Sequence, residues 1–564
     1  MTLLEDLLGR GYLPVQLPPG FSSSTFANNL NHFQKAWDSG SPPATLGERF
    51  SVARSSFYRR STTIINPIGF YFLAREIAKF WPQIDLHYKQ STLSRSVPLV
   101  DQDSLRAIKL RKFSELYEEK VTSSAGYQFA LVTDITSFFS AIYTHTIPWA
   151  LHTKSVAKKN KSKKTAKYYG NILDARCMAT QDGQTIGLPI GPDTSHILAE
   201  IVAVAIDEQL RQNWKSWPAG FRYVDDFYLF FNGRDDAERA LAAVTKAVGS
   251  YELQLNPAKT RIIEVRELVQ ESWKYNLKKL SLSASKKEQR DDIHHYFELL
   301  FSLEKQFKDE SLVKYGLKQL SSKIVKKSNW QVLEAYLLEC GYGFPNAIEV
   351  IAHFLTTYRH HGYPLDIAAI TRFCHNLIRV AAATDHHSEV AWLLWICKEL
   401  SISLEMDLAP EIERMRSSVC TLILLDMQHS GLSQGTVDPT LLAPFATPDN
   451  LIGPHWLLAY EAGRRKWLGG NTDAFITNDA YFGPLLKSGV VFYDEQAKLP
   501  PMFELKADIP LPPDFDSDEE IAEDFEFDDI DEEYFDSSGA AKESDEDNEE
   551  GSGKPSDADL IDLT

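Results

Sequence analysis

The sequence is poor in cysteine, and its cysteines are badly placed for binding metal. Cys177, Cys340, Cys374, Cys397 and Cys420 are the only five in 564 residues. No two stand at the close spacing of a zinc knuckle or a redox pair. They fall in apolar segments, so they read as buried free thiols in a reducing compartment. No apolar run approaches the ~20 residues that a membrane span needs. The opening stretch MTLLEDLLGRGYLPVQLPPG has no basic region leading into an apolar one, so no secretory signal is read there. A Walker A loop and a nucleophile elbow are also missing. These absences favour a soluble, cytoplasmic protein with no membrane partner. The pairs His294-His295, His360-His361 and His386-His387 are adjacent rather than a helical turn apart, and read as surface or capping residues.

The net charge of −19 misleads, because the acid is gathered at one end. Residues 508–564 hold 24 Asp and Glu against two lysines, Lys542 and Lys554. The remaining 507 residues hold 54 acidic and 57 basic side chains, a net of +3. That body does not oppose a nucleic-acid partner as the whole-chain balance would.

A chain this long exceeds one hydrophobic core, so more than one domain is expected. Residues 51–125 are rich in Arg and Lys. Residues 127–135 (YQFALVTDI) read as a buried strand ending in a carboxylate. Residues 154–167 carry seven lysines and no acid, and read as a solvated loop. A Gly/Pro turn at 187–193 leads into a helix over 195–211, with Asp193 or Ser195 as its cap. Residues 221–231 (FRYVDDFYLFF) read as two short strands with Val224-Asp225-Asp226 at the bend. A helix over 235–250 and a strand-turn-strand over 253–263 follow. From 286 onward the pattern is helix after helix, with Pro345 in a first turn and helices over 366–383, 387–400 and 410–428. The short links suggest stacked helical hairpins, though no clean repeat motif stands out. From 508 the composition is that of a disordered acidic tail.

Asp225 and Asp226 carry the chemistry. Two adjacent carboxylates in an apolar run repel unless a cation lies between them. Asp134, ending another buried strand, supplies a third carboxylate. Oxygen-only ligands favour Mg²⁺, with Mn²⁺ as a substitute. Such a site suits phosphoryl transfer with two ions roughly 3.5–4 Å apart. An isolated Asp-Asp pair is more often a surface turn; here its surroundings reverse that weighting.

Tyr223-Val224-Asp225-Asp226 resembles the active-site box of the reverse transcriptase family. Asp134 followed five positions later by the aromatic Phe139 resembles the preceding box. Gly187-Leu188-Pro189-Ile190-Gly191 resembles the box between them, and residues 255–260 (LNPAKT) resemble a later box that contains a lysine. The boxes stand in the family's order and cover residues 127–266. Residues 134–152 and 187–200 resemble more closely the bacterial phage-defence reverse transcriptases of the abortive-infection type. That resemblance implies an α+β fold: right-hand polymerase fingers in 1–125, a palm in 126–280, an all-α helical-repeat C-terminal domain in 281–506 and a disordered acidic tail in 507–564. It implies an RNA-directed DNA polymerase, a nucleotidyltransferase of antiviral defence that takes dNTPs. Its relatives make long DNA, in some cases attached to the protein that primes it, and several form homo-oligomers.

Roles carried over by motif give Asp134, Asp225 and Asp226 to the metals and Lys259 to the departing pyrophosphate. Phe139 becomes a steric gate against the ribose 2′-hydroxyl. Gly187, Pro189, Ile190 and Gly191 line the nucleotide. Arg95 and Arg106 are candidates to grip the triphosphate, the alternative being ordinary surface arginines. Many templated members carry glutamine where this chain has Ile190, which puts strictly templated copying in doubt. Two alternatives stay open: a templated enzyme using a noncoding RNA, and an inactive scaffold on a polymerase fold. The intact set of three aspartates argues against the scaffold.

Overall fold

Apolar and β-branched runs in the first half of the chain pair into antiparallel ladders. A hairpin of β1 (Glu48–Ala53) and β2 (Arg59–Ile64) comes first, then a short ladder of β3 (Leu99–Val100) and β4 (Ile108–Lys109). Four further strands, β5 (Phe129–Thr133), β6 (Ala219–Tyr223), β7 (Asp226–Phe231) and β8 (Arg261–Glu264), form one antiparallel sheet in the order β6-β7-β5-β8. In its register Thr133 faces Phe227, and Val132 faces Tyr228 on one side and Arg261 on the other. The computed structural model describes residues 2–503 except 56–57, 103, 112, 215–218, 271–272, 274–276, 278–281, 284, 310 and 470–472. The acidic tail expected at 507–564 lies outside the described residues.

The helix Arg234–Gly249 packs on β5 and β7 and against the helix Asp193–Asn213, which packs in turn on Pro67–Tyr88. Pro67–Tyr88 begins where the sequence permits. Proline takes the first position, and the Asn66 side chain accepts the Ile68 N–H at 3.1 Å. From Lys286–Phe307 onward the described residues form helices that pack in succession, Ile348–His360 on His387–Glu399 and that on Ser418–His429. No helix among the described residues is long and apolar enough to cross a membrane. All five cysteines are free and buried.

Three local expectations need correction. The helix expected over 410–428 is two, Leu408–Arg414 and Ser418–His429, because Arg416 turns left-handed (φ 50°) and Ser417 caps the second. The lysine-rich stretch is not all loop. Lys154–Lys159 is helical, with the Lys154 ammonium 4.0 Å from the Trp149 ring centroid and 3.0 Å from Glu252. Neither Asp193 nor Ser195 caps the helix Asp193–Asn213. Pro192 holds the cap position, while Asp193 binds Arg106 and Ser195 donates to the Pro189 carbonyl.

The helical segment grips the first 66 residues. Trp392 and Trp456 donate their indole N–H to the carbonyls of Gln16 (2.9 Å) and Ile64 (3.1 Å). Thr25 and Val491 exchange two hydrogen bonds, at 2.7 and 2.8 Å. Tyr12, Phe26 and Phe492 share one aromatic cluster, and Trp37 meets Tyr481 edge-on at 5.6 Å.

The hairpin β1–β2 is clamped hardest. Arg59 pairs with buried Glu389 (2.7 Å through Nη2), His387 Nδ1 accepts the Ser51 N–H at 3.3 Å, and buried Glu48 accepts the Ser418 N–H at 2.7 Å. His387 is therefore a bridge to the hairpin and not a surface residue. Burial pushes the Glu48 carboxyl from 4.5 up to about 8, the Ser418 contacts offsetting it only in part. For Glu389 burial also works upward, but hydrogen bonds from His386 and Arg59 outweigh it and bring the group to about 2. The two signs are opposite. Glu389 contributes stability that is present above 4.5 and is lost as pH falls toward 2. Glu48 is protonated in the fold but ionised in the unfolded chain between 4.5 and about 8, so its effect is to lower stability as pH rises through that window. Glu48→Gln keeps the acceptor and removes the titration. Its unfolding free energy from urea titration, equal to that of the parent near pH 4.5, should exceed it increasingly up to about pH 8, by on the order of a few kcal/mol. An advantage that does not grow with pH would remove Glu48 from this account.

Candidate active site

The turn between β6 and β7 holds Val224 and Asp225, with Tyr223 paired to Asp226 across it. Val224 has φ 52°, a left-handed conformation that a β-branched residue adopts only at a cost. Its neighbours hold it there. The Arg222 guanidinium donates to the Val224 carbonyl at 2.6 Å, and Ser96 Oγ accepts the Val224 N–H at 2.8 Å. Arg222 is wholly buried, with Glu200 and Asp207 of the helix Asp193–Asn213 both within 3.1 Å. Burial alone would favour the neutral form, but Asp207 and Glu200 outweigh it and raise the Arg222 pKa.

Asp134 follows β5 directly. The Thr133–Phe227 pairing, continued by one residue, sets it across from Asp226. The later lysine box is welded to the same strand end. Asn256 N–H donates to the Asp134 carbonyl (2.9 Å), Ile135 bridges Leu255, and the Thr133 and Thr260 hydroxyls lie 2.7 Å apart. The turn between brings Lys259 Nζ to 3.1 Å from Asp134 Oδ2. The Tyr228 phenol is raised well above 10, by burial first and then by the charges of Asp226, Asp134 and Asp225 against an opposing effect of Arg261. Three carboxylates thus act on one hydroxyl.

Do these residues suit a divalent cation? The Oδ1 atom of Asp134, 2% exposed as a residue, is buried with no hydrogen-bond partner, and its Oδ2 meets the lysine ammonium. A buried carboxylate oxygen without a donor is costly unless positive charge meets it. The donors are hard oxygens, as Mg²⁺ or Mn²⁺ requires. Among the described residues no group of three or more His, Cys, Asp or Glu already stands where it could hold a metal ion. An ion would have to draw the aspartates together against their mutual repulsion.

The glycine-proline box is tied to the segment that follows Asp134. Gly187 and Gly191 have φ of 88° and 127°, and a Cβ on Gly191 would stand 2.9 Å from Pro14. Leu188 N–H donates to the Phe139 carbonyl (2.8 Å), which ties this box to the aromatic one. The Ile190 carbonyl accepts the Thr63 N–H of β2 at 2.7 Å. Phe139 is 3% exposed, its ring 5.6 Å from that of Phe138 and 6.2 Å from that of His196.

Asp134 and Lys259 are therefore in contact, and the register sets Asp226 across from Asp134 with Asp225 beside it in the turn. The two arginines are engaged elsewhere. Arg95 pairs with Glu119 at 3.0 Å, and Arg106 binds Asp193 (2.9 Å through Nε) and the carbonyls of Leu13 and Gly191. Sequence reasoning missed Arg222, Glu200, Asp207 and Ser96. A signal was there: an arginine inside the apolar run FRYV, and two acids seven residues apart, one above the other on an apolar helix.

A sheet of this order, with carboxylates at a hairpin turn and at the adjacent strand end, has the palm of a nucleic-acid polymerase. Residues 80–288 match the family model described as reverse transcriptase (RNA-dependent DNA polymerase), so the chain contains a reverse transcriptase domain. Comparison with curated proteins gives no match. Among solved structures the chain is similar to apo telomerase from Candida tropicalis, at 11% identity and a TM-score of 0.31, covering 71% of this chain and 74% of that one. A form of the same telomerase lacking its C-terminal domain gives 13% identity and a TM-score of 0.28, covering 43% and 56%. Telomerase from Candida albicans in complex with a fragment of telomeric RNA gives 15% identity and a TM-score of 0.28, covering 67% and 66%. This chain thus spans little more than half of the truncated form.

Proposed function

We propose that the protein is a DNA polymerase of antiphage defence that adds dNTPs at a two-metal site and primes its product from its own chain, without a template. The observation that carries the polymerase reading is the meeting of two strand ends: Asp134, with Lys259 on its Oδ2, continues the register that faces Asp226, next to the turn that holds Asp225. Asp134, Asp225 and Asp226 would hold Mg²⁺, which when bound supplies activation of the attacking hydroxyl and neutralisation of the leaving pyrophosphate. Lys259 meets the charge of that pyrophosphate and gives it a proton. Phe139 and the box Gly187–Gly191 bound the sugar and base. Ile190 has no side-chain amide to offer a template strand, which supports untemplated synthesis. The helical segment, locked onto the hairpin whose β2 binds Ile190, would set the geometry of that pocket and join copies into a homo-oligomer. Five free, buried thiols suit the reducing interior of a cytoplasmic protein.

The second reading is templated copying of a noncoding RNA, favoured by the RNA-dependent character of the matched family. One experiment separates them. Purified protein is incubated with each labelled dNTP and Mg²⁺, with and without RNA, and the products are treated with protease. Product made without RNA and shifted by protease supports self-priming. Strict dependence on RNA supports the second reading, and no incorporation under any condition ends both.

A further inference from the structure

We propose that Arg222 is a positioning residue for the metal-binding turn: anchored on Glu200 and Asp207, it holds the Val224 carbonyl and so fixes where Asp225 and Asp226 point. This rests on the polymerase reading of the site. The turn needs such a holder, because a β-branched residue at φ 52° relaxes unless its surroundings over-determine it. Arg222 is suited to the task. Its planar fork reaches Asp207 through Nε and Nη2, Glu200 through Nη1 and Nη2, and the Val224 carbonyl through Nη1, all within 3.1 Å. A lysine has no such fork.

The backbone at this point is fixed independently. Arg222 N–H donates to the Leu93 carbonyl, and its own carbonyl accepts the Arg95 N–H, both at 2.8 Å. That bridge carries Ser96 to the turn, where its Oγ accepts from Val224 and donates to Glu200 at 3.2 Å. The turn is therefore tied to one helix by two routes, the arginine and the serine. A buried triad of Arg222, Glu200 and Asp207 kept only for its charges would not need the Val224 carbonyl; here the carbonyl takes one of the shortest bonds in the network, at 2.6 Å.

The test measures metal binding apart from turnover. Mn²⁺ affinity of the full chain is read by electron paramagnetic resonance of the free ion, beside the Mg²⁺ concentration for half-maximal dNTP incorporation. Arg222→Lys should weaken Mn²⁺ binding about tenfold and raise the Mg²⁺ requirement to match, the range seen when a residue behind a metal ligand is lost. Incorporation should recover at saturating Mg²⁺. If Arg222→Lys does not fold, the charge-balanced variant Arg222→Met/Glu200→Gln/Asp207→Asn removes the anchor without stranding a buried charge. Ser96→Ala, which removes no charged group, should move both quantities the same way by a smaller factor. A folded variant with parental Mn²⁺ affinity and Mg²⁺ requirement overturns the proposal, as does lost activity that no Mg²⁺ concentration restores. Weakened Mn²⁺ binding in a protein whose parent incorporates no nucleotide would retain the positioning role and refute the polymerase reading.

Discussion

Asp225→Asn and Asp226→Asn each abolish nucleotide incorporation and leave the chain folded. Each change is isosteric and removes one negative charge from a turn that carries two. A ligand lost from a two-metal site costs several kcal/mol of transition-state stabilisation, and about 4 kcal/mol corresponds to roughly 10³-fold in rate. The fold responds in the opposite direction. Asp225 is wholly buried beside a like charge, so neutralising either carboxylate relieves repulsion, and the melting temperature holds or rises. Asp134→Asn differs, because it also removes the charge that Lys259 meets at 3.1 Å. Incorporation of labelled dNTP and a thermal melt, run on the same preparations, check the pair of effects. Full activity in the double Asp225→Asn/Asp226→Asn variant would end the two-metal assignment.

The sugar is the second large effect. Phe139→Ala raises the use of ribonucleotides relative to deoxyribonucleotides by on the order of 10- to 100-fold, the discrimination an apolar wall achieves against one added hydroxyl. The structure dictates how this must be read. Phe139 is packed between Phe138 and His196, so alanine also leaves a cavity that costs about 3–5 kcal/mol. Absolute rates will fall for that reason alone, and only the ratio of the two sugars isolates the gate. Phe139→Leu, which keeps most of the volume, serves as the control. A ratio unchanged in both variants would make Phe139 core packing and nothing more.

The parts of this site legible in the sequence are those written in consecutive residues. The bend at Val224-Asp225, the strand ending at Asp134 and the lysine turn each follow from apolar periodicity and from turn-forming residues within a few positions. What escaped was set by partners far along the chain. Arg106 looks like any basic residue of an Arg-rich segment until the fold brings Asp193 to it from 87 positions away. Arg416 carries no turn signature, so the break in the expected helix is imposed by packing around it and by the Ser417 cap. The strain at Val224 is invisible in the same way, since valine is a good strand former and nothing local announces a positive φ.

The exchange of hydrogen bonds between Thr25 and Val491 sets a timetable for biogenesis. Those residues are 466 positions apart, and the aromatic cluster of Tyr12, Phe26 and Phe33 is not roofed until Phe492 arrives. At a synthesis rate of roughly 5–20 residues per second, the nascent amino-terminal helices wait on the order of half a minute to a minute and a half with that surface uncovered. Contacts so distant in sequence also close slowly after release. The four-stranded sheet, drawn from residues 129–264, can form long before the hairpin that meets the Gly187–Gly191 box is clamped. The hairpin goes without its clamp until Glu389 has been made, and the aromatic cluster without its cover until Phe492 has.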